Sequence, residues 1–139
     1  MSSYLHMLDT NILSDAIRNP FGAVAELIDK ADKGSLCVSA IVASELRFGA
    51  LRRGSARLTY LVENSLARIA ILAYEDQASH HFADIRSTLE KRGTPIGATD
   101  LFIAAHARSL DLTLVTNNVR EFSRVDGLRV ENWLEEAAP

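Results

Sequence analysis

Asp9, Glu45, Asp100, Asn118 and Glu121 are placed so that a parallel sheet could gather them at one end. Asp9 directly follows the apolar run 4–8, and Asn118 and Glu121 follow the run 112–116. Asp100 lies near the start of the helix-like stretch before that second run, and Glu45 lies in the stretch after the run 36–38. In open parallel sheets, ligands sit beyond the carboxyl ends of the strands. Three or four carboxylates gathered there would repel one another unless a cation were present. Oxygen-only ligands select hard cations, Mg²⁺ or Mn²⁺ rather than zinc. Such an ion turns a water into a nucleophile and stabilises charge on a phosphoryl oxygen, which makes phosphodiester hydrolysis the natural chemistry.

Other chemistries find little support. His6, His80, His81 and His106 have no metal-ligand spacing, and there is no nucleophile elbow, dinucleotide fingerprint or phosphate loop. A phosphatase using Asp9 as nucleophile would want a second Asp two residues on and a nearby Lys. Position 11 is Asn, and residues 100–121 contain no Lys. Each acid, taken singly, also has an ordinary role. Asp9 would cap the next helix, Glu45 would be an exposed helix residue, and Asp100 would complement a helix N-terminus. Glu121 would be a solvated turn residue and His80–His81 a solvated pair, while Cys37 and Trp133 would belong to the core. Only the joint placement of the acids carries the functional reading.

Short apolar runs alternate with longer amphipathic stretches, the pattern of an α/β fold with parallel strands. Strands are expected at 4–8, 36–38, 69–72 and 112–116, with a small fifth at 128–130. A helix opens at Thr10 and closes before Pro20, and another spans 21–33. Ser39 caps a helix running through Phe48. Further helices cover 56–67, 75–92 and 97–110, and 117–122 is a short turn or helix. The chain of 139 residues reads as a single domain, residues 1–139, with no linker or repeat. Hydrophobic residues make up 47% and charged residues 24%, as in a folded soluble protein. The net charge of −3 excludes a generally basic nucleic-acid coat. With one cysteine, neither an intrachain disulfide nor a cysteine zinc cluster can form, which fits a reducing cytoplasm. No secretory signal is expected at the start, and no apolar stretch approaches the roughly 18 residues of a membrane span.

Four segments in order carry a resemblance. They are Met7-Leu8-Asp9-Thr10-Asn11, the stretch SAIVASELRFG from Ser39 to Gly49, Ile96-Gly97-Ala98-Thr99-Asp100-Leu101-Phe102-Ile103-Ala104-Ala105-His106-Ala107, and Leu114-Val115-Thr116-Asn117-Asn118-Val119-Arg120-Glu121-Phe122. Together they resemble the ordered motifs of PIN-domain proteins over essentially the whole chain, and specifically the VapC toxins of bacterial VapBC toxin–antitoxin systems. The resemblance implies a three-layer α/β/α fold with a central parallel sheet of four to five strands. It also implies an Mg²⁺- or Mn²⁺-dependent endoribonuclease. Asp9, Glu45 and Asp100 match the family's acidic metal-binding triad. Many PIN domains carry an Asp where this chain has Asn118, so the fourth position falls to Asn118 or Glu121. Thr10, Asn11 and Thr116 match positions that support the acids. The subgroup with the Asn-Asn motif is associated with cleavage of initiator tRNA in the anticodon region.

The charge is uneven. Residues 1–70 carry eight Lys and Arg against seven Asp and Glu, and the rest of the chain is acidic. Arg47, Arg52, Arg53 and Arg57 follow Glu45 closely, and would form a basic rim for RNA phosphates or simply a solvated helix end. Leu58, Leu61, Val62 and Leu66, with Tyr60 nearby, suggest either a face for a partner or ordinary core. The family implies two partners, a second copy forming a homodimer and an antitoxin whose C-terminal segment wraps the toxin in a larger complex. An antitoxin Arg in the acidic site would mimic and displace the cation. The alternative is a PIN-like domain that binds RNA or protein without cutting.

Overall fold

Strands buried on both faces read as unbroken apolar runs, and the runs picked out in the sequence do pair, all in parallel. The computed structural model describes residues 4–136. Its strands are β1 (His6–Leu8), β2 (Leu36–Ser39), β3 (Ala70–Leu72), β4 (Thr113–Val115) and β5 (Val130–Glu131), in the spatial order β3-β2-β1-β4-β5. Met7 lies opposite Cys37 on one side and Leu114 on the other, Leu8 opposite Val115, and Ser39 opposite Leu72. The chain builds outward from β1 to β3, then returns to the far side of β1 for β4. That reversal places the topological switch point at the carboxyl ends of β1 and β4, between Asp9 and Thr116.

Helices flank the sheet. They are α1 (Thr10–Arg18), α2 (Ala23–Lys30), α3 (Ala40–Arg53), α4 (Ala56–Leu66), α5 (Asp76–Arg92), α6 (Ala98–Ser109), α7 (Val119–Phe122) and α8 (Trp133–Glu136). α1 packs on α2, α3 and α4, α5 lies along α6, and α3 touches both α4 and α6. α6 buries Leu101, Ile103, Ala104, Ala105, His106 and Ala107, so it is apolar on nearly all sides. Its three buried alanines let the backbone come close to the sheet, and this fixes the height of Asp100 in its first turn. Cys37 is fully buried, and burial pushes its thiol up to about 12, which makes it inert. Trp133 is also buried, its ring 5.4 Å from that of His6.

Several boundaries differ from expectation for local reasons. The helix expected over 21–33 is shorter, because Gly22 caps its start and Ala31 turns extended. A single 3₁₀ turn (Lys33–Ser35) follows, in which the Asp32 carboxylate accepts from the Gly34 N–H. α3 continues past Phe48 to Arg53 and stops at Gly54, which has φ 63°. The fifth strand falls later than 128–130, at Val130–Glu131. His81 is not merely solvated. Its Nδ1 accepts from Arg108 Nε at 2.8 Å, while Arg108 also reaches the Asp84 carboxylate and the Asp126 carbonyl. Arg108 thus ties α5 and α6 to the loop before β5.

The Ser39 hydroxyl joins three elements at the end of β2. It accepts from the Ile41 N–H as the cap of α3 and lies 2.8 Å from Nδ1 of the buried His106 on α6. Ser39 Oγ and His106 Nδ1 share one hydrogen bond. Burial holds His106 below its ordinary pKa, and Nε2 itself makes no hydrogen bond of normal geometry. Ser39→Ala therefore removes a cap and strands a buried imidazole nitrogen. It should cost about 2–3 kcal/mol of unfolding free energy, read by urea denaturation. A loss of under about 0.5 kcal/mol would show that the Ser39–His106 link carries no weight.

Candidate active site

Asp9 is where the fold and the acids meet. It ends β1, caps α1 through an Oδ1 bond from the Thr10 N–H at 2.8 Å, and is almost completely buried. Its Oδ2 accepts from Thr116 Oγ1 at 2.7 Å, across the switch point from β4, and from Asn11 Nδ2 at 3.2 Å. The capping role and the site role are thus one geometry. Thr10 and Asn11, in the first turn of α1, carry the pattern outward. Thr10 Oγ1 donates to Glu45 Oε1 at 2.6 Å, bringing α3 to the site. Asn11 Oδ1 accepts from the Asn117 N–H at 3.0 Å, tying down the segment after β4.

That segment supplies the fourth carboxylate. The Asn118 N–H donates to Thr116 Oγ1 at 3.0 Å, and Asn118 Nδ2 donates to Glu121 Oε2 at 2.6 Å. Glu121 Oε1 accepts from the Gly97 N–H at 3.2 Å, just before α6, and Glu121 also shares a hydrogen bond with Asp100. Glu121 therefore stands against Asp100, and Asn118 is the residue that orients it. Two contributors carried no signal in the sequence: the Gly97 N–H and Arg124. Arg124 lies one helical turn beyond Glu121, donates to the Pro95 carbonyl at 3.0 Å, and sets its positive charge near Glu121.

The electrostatics record the crowding. Burial raises the pKa of Asp9, and the charge of Glu45 raises it further, while bonds from Thr116, Thr10 and Asn11 oppose the shift. Asp100 is pushed up to about 8, first by burial, then by its hydrogen bond to Glu121 and the negative charges of Glu121, Asp9 and Glu45. Glu121 is held below its ordinary value by the Asp100 bond, the Gly97 N–H, Asn118 and Arg124. At neutral pH the Asp100–Glu121 pair thus keeps a proton that two free carboxylates would have shed. A bound cation would take over that proton's task. Among the described residues no three His, Cys, Asp or Glu side chains form a ready-made cage. Mg²⁺ binds through one or two carboxylates and keeps several waters, so an open, oxygen-only set of this kind fits it.

The arginines divide. At about 100° per residue, Arg47 points about 160° away from Glu45 around α3. It is held by Glu63 of α4 through bonds of 2.9 and 3.0 Å, so it does not join a rim beside the acids. Arg52, seven residues on, returns to within about 20° of Glu45. Arg53 and Arg57 are exposed close by, at the end of α3 and the start of α4. On α4, Val62 and Leu66 are core, while Tyr60 is 68% exposed.

A model of the PIN domain matches residues 6–128. The chain is 44% identical over 131 residues to a protein of Haemophilus influenzae named Ribonuclease VapC2, covering 93% of this chain and 98% of the relative. It is 41% identical over 128 residues to the tRNA(fMet)-specific endonuclease VapC of Shigella flexneri, covering 91% and 96%. Among solved structures, a DNA-bound VapBC from Salmonella typhimurium contains a chain that superposes with a TM-score of 0.86 at 38% identity, covering 94% of this chain and 98% of that one.

A carboxyl group whose folded pKa is raised contributes stability that is complete below its unfolded value and is lost as pH rises through the folded one. For Asp100, 3.8 and about 8 bound that window. The metal-free protein should therefore melt at progressively lower temperature from about pH 5 to pH 8, with the fall levelling off above 8. Asp100→Asn should flatten this profile and raise the melting temperature at pH 9. Differential scanning fluorimetry in EDTA reads both, and an unchanged slope in Asp100→Asn would assign the titration elsewhere.

Proposed function

The chain belongs to the PIN-domain family, among its VapC ribonucleases, and on that basis we propose that it is a divalent-metal-dependent endoribonuclease toxin whose centre is Asp9, Glu45, Asp100 and Glu121. The observation that carries the metal reading is the convergence of these carboxylates from separate elements, each oriented by hydrogen bonds from Thr116, Thr10, Asn118 or the Gly97 N–H. Asp9, Glu45 and Asp100 would hold Mg²⁺ or Mn²⁺, with Glu121 completing the set. When bound, the cation supplies Lewis-acid stabilisation of charge on a phosphoryl oxygen and a water of lowered pKa.

The chain's own residues do the positioning. Thr116 and Asn11 fix the Asp9 carboxylate in one orientation, and Thr10 fixes Glu45. Asn118 and the Gly97 N–H hold Glu121 against Asp100. Groups that orient ligands in this way commonly matter about 10- to 100-fold for metal affinity or activity. The name of the Shigella relative makes initiator tRNA the RNA to test first.

The partner is a VapB-type antitoxin, as the VapBC complexes among the structural relatives support. A cleft of about 360 Å³ between α1, α2 and α4, walled by Leu13, Ile17, Ile28 and Leu61, would seat an apolar segment of it. An antitoxin guanidinium entering among the carboxylates would replace both cation and proton by a bidentate pair. A homodimer inside a larger toxin–antitoxin assembly belongs to the same proposal. Among the described residues no helix is long and apolar enough to cross a membrane.

Purified chain should cleave initiator tRNA in Mg²⁺ or Mn²⁺ and stop when EDTA is added. Asp9→Asn and Asp100→Asn should each lower the rate by at least roughly a hundredfold with the fold intact by circular dichroism. Cleavage by Asp100→Asn that survives EDTA would rule out the metal reading. Glu121→Gln should reduce Mn²⁺-dependent activity more than Asn118→Ala, whose loss should be about 10- to 100-fold. The opposite ranking would give the fourth position to Asn118. Mapping 5′ ends across total RNA after expression without antitoxin identifies the cut site.

A further inference from the structure

One turn beyond Glu45, α3 presents an aromatic ring to solvent. Phe48 is 62% exposed, and the guanidinium of Arg52 lies over its ring, 5.7 Å from the centroid. Residues three and four apart on a helix are surface neighbours, so Glu45, Phe48, Gly49 and Arg52 form one stripe that begins at the acidic centre. Gly49 leaves a gap in that stripe, since a Cβ added there would meet nothing within 4 Å. Arg52, Arg53 and Arg57 make no ion pair among the described residues. The stripe thus offers a flat π-face, an open recess and unneutralised positive charge, a short step from carboxylates suited to phosphodiester chemistry.

Single-stranded RNA is recognised by this combination. Its unstacked bases lie on aromatic rings or arginine planes while basic side chains follow the phosphates. A second copy of the chain fits worse, because an isologous contact through this patch would bring unpaired arginines against arginines. We propose that Phe48, framed by Arg52 and by the recess over Gly49, is a stacking subsite for an unpaired RNA base adjacent to the phosphate cut at the Asp9–Asp100 centre. This rests on the ribonuclease reading above and adds to it a residue that selects looped-out over helical RNA.

The test uses full-length chain carrying Asp100→Asn, which keeps bound RNA intact. The probe is a synthetic initiator-tRNA anticodon stem-loop with 2-aminopurine in the loop. Stacking should quench its fluorescence on binding. Phe48→Ala and Phe48→Leu should both weaken binding by about 5- to 100-fold and abolish quenching, whereas Phe48→Tyr should retain both. Gly49→Leu fills the recess, and should weaken binding without lowering the melting temperature, because glycine is a poor helix former. Leu serving as well as Phe at position 48 would overturn the proposal. So would Phe48→Ala binding normally while changing the mass by light scattering or losing the antitoxin, which would make the ring a protein contact. In chain with Asp100 intact, normal cleavage by Phe48→Ala would refute the subsite and leave the ribonuclease standing. Failure of the unsubstituted chain to cut any RNA would instead refute the ribonuclease.

Discussion

Like charges brought close in a half-buried setting must be compensated, and this constraint organises the molecule. Asp9, Glu45, Asp100 and Glu121 come from four separate elements, and each negative charge raises the cost of the others. The fold meets that cost in two ways. Hydrogen-bond donors from Thr116, Thr10, Asn11, Asn118 and the Gly97 backbone aim at the carboxylate oxygens. One proton retained between Asp100 and Glu121 covers the remainder. Donors alone cannot replace a full positive charge at such spacing, so the proposed cation and the proposed antitoxin guanidinium would both answer the same electrostatic deficit.

The same bonds are structural. Asp9 caps α1 and Thr116 closes the carboxyl end of β4, so their mutual bond is at once a strand-to-strand link and a support for the site. Ser39 has a comparable role at the end of the neighbouring β2, starting α3, which carries Glu45, and contacting α6, which carries Asp100. Ser39 therefore sets α3 at its first turn and α6 at its last, through His106.

Much of this was legible in the chain. Asp9, Glu45 and Asp100 stand in short patterns whose apolar neighbours fix strand ends and helix faces, and those faces decide where a side chain points. The strand runs were equally plain, because parallel strands covered on both sides cannot alternate. What stayed hidden depended on contacts between distant segments. Asn118 and Glu121 are three residues apart and both polar, and only the Gly97 N–H and the Asp100 carboxyl distinguish their roles. Arg47 looked like its neighbours Arg52 and Arg53, but Glu63, sixteen residues away, claims it from the other side of α3. His81 was read as solvated because Arg108 lies on a different helix. Helix ends shifted for a smaller reason, the backbone behaviour of Gly22, Ala31 and Gly54.

The order in which the acids occur along the chain has a bearing on synthesis. Asp9 is translated early, but its Thr116 partner and the Glu121 turn come from the last quarter of the chain. Until that quarter leaves the ribosome, β4 cannot join β1, and the first carboxylate lacks its deepest hydrogen bond. A chain lacking these segments therefore cannot complete the acidic cluster.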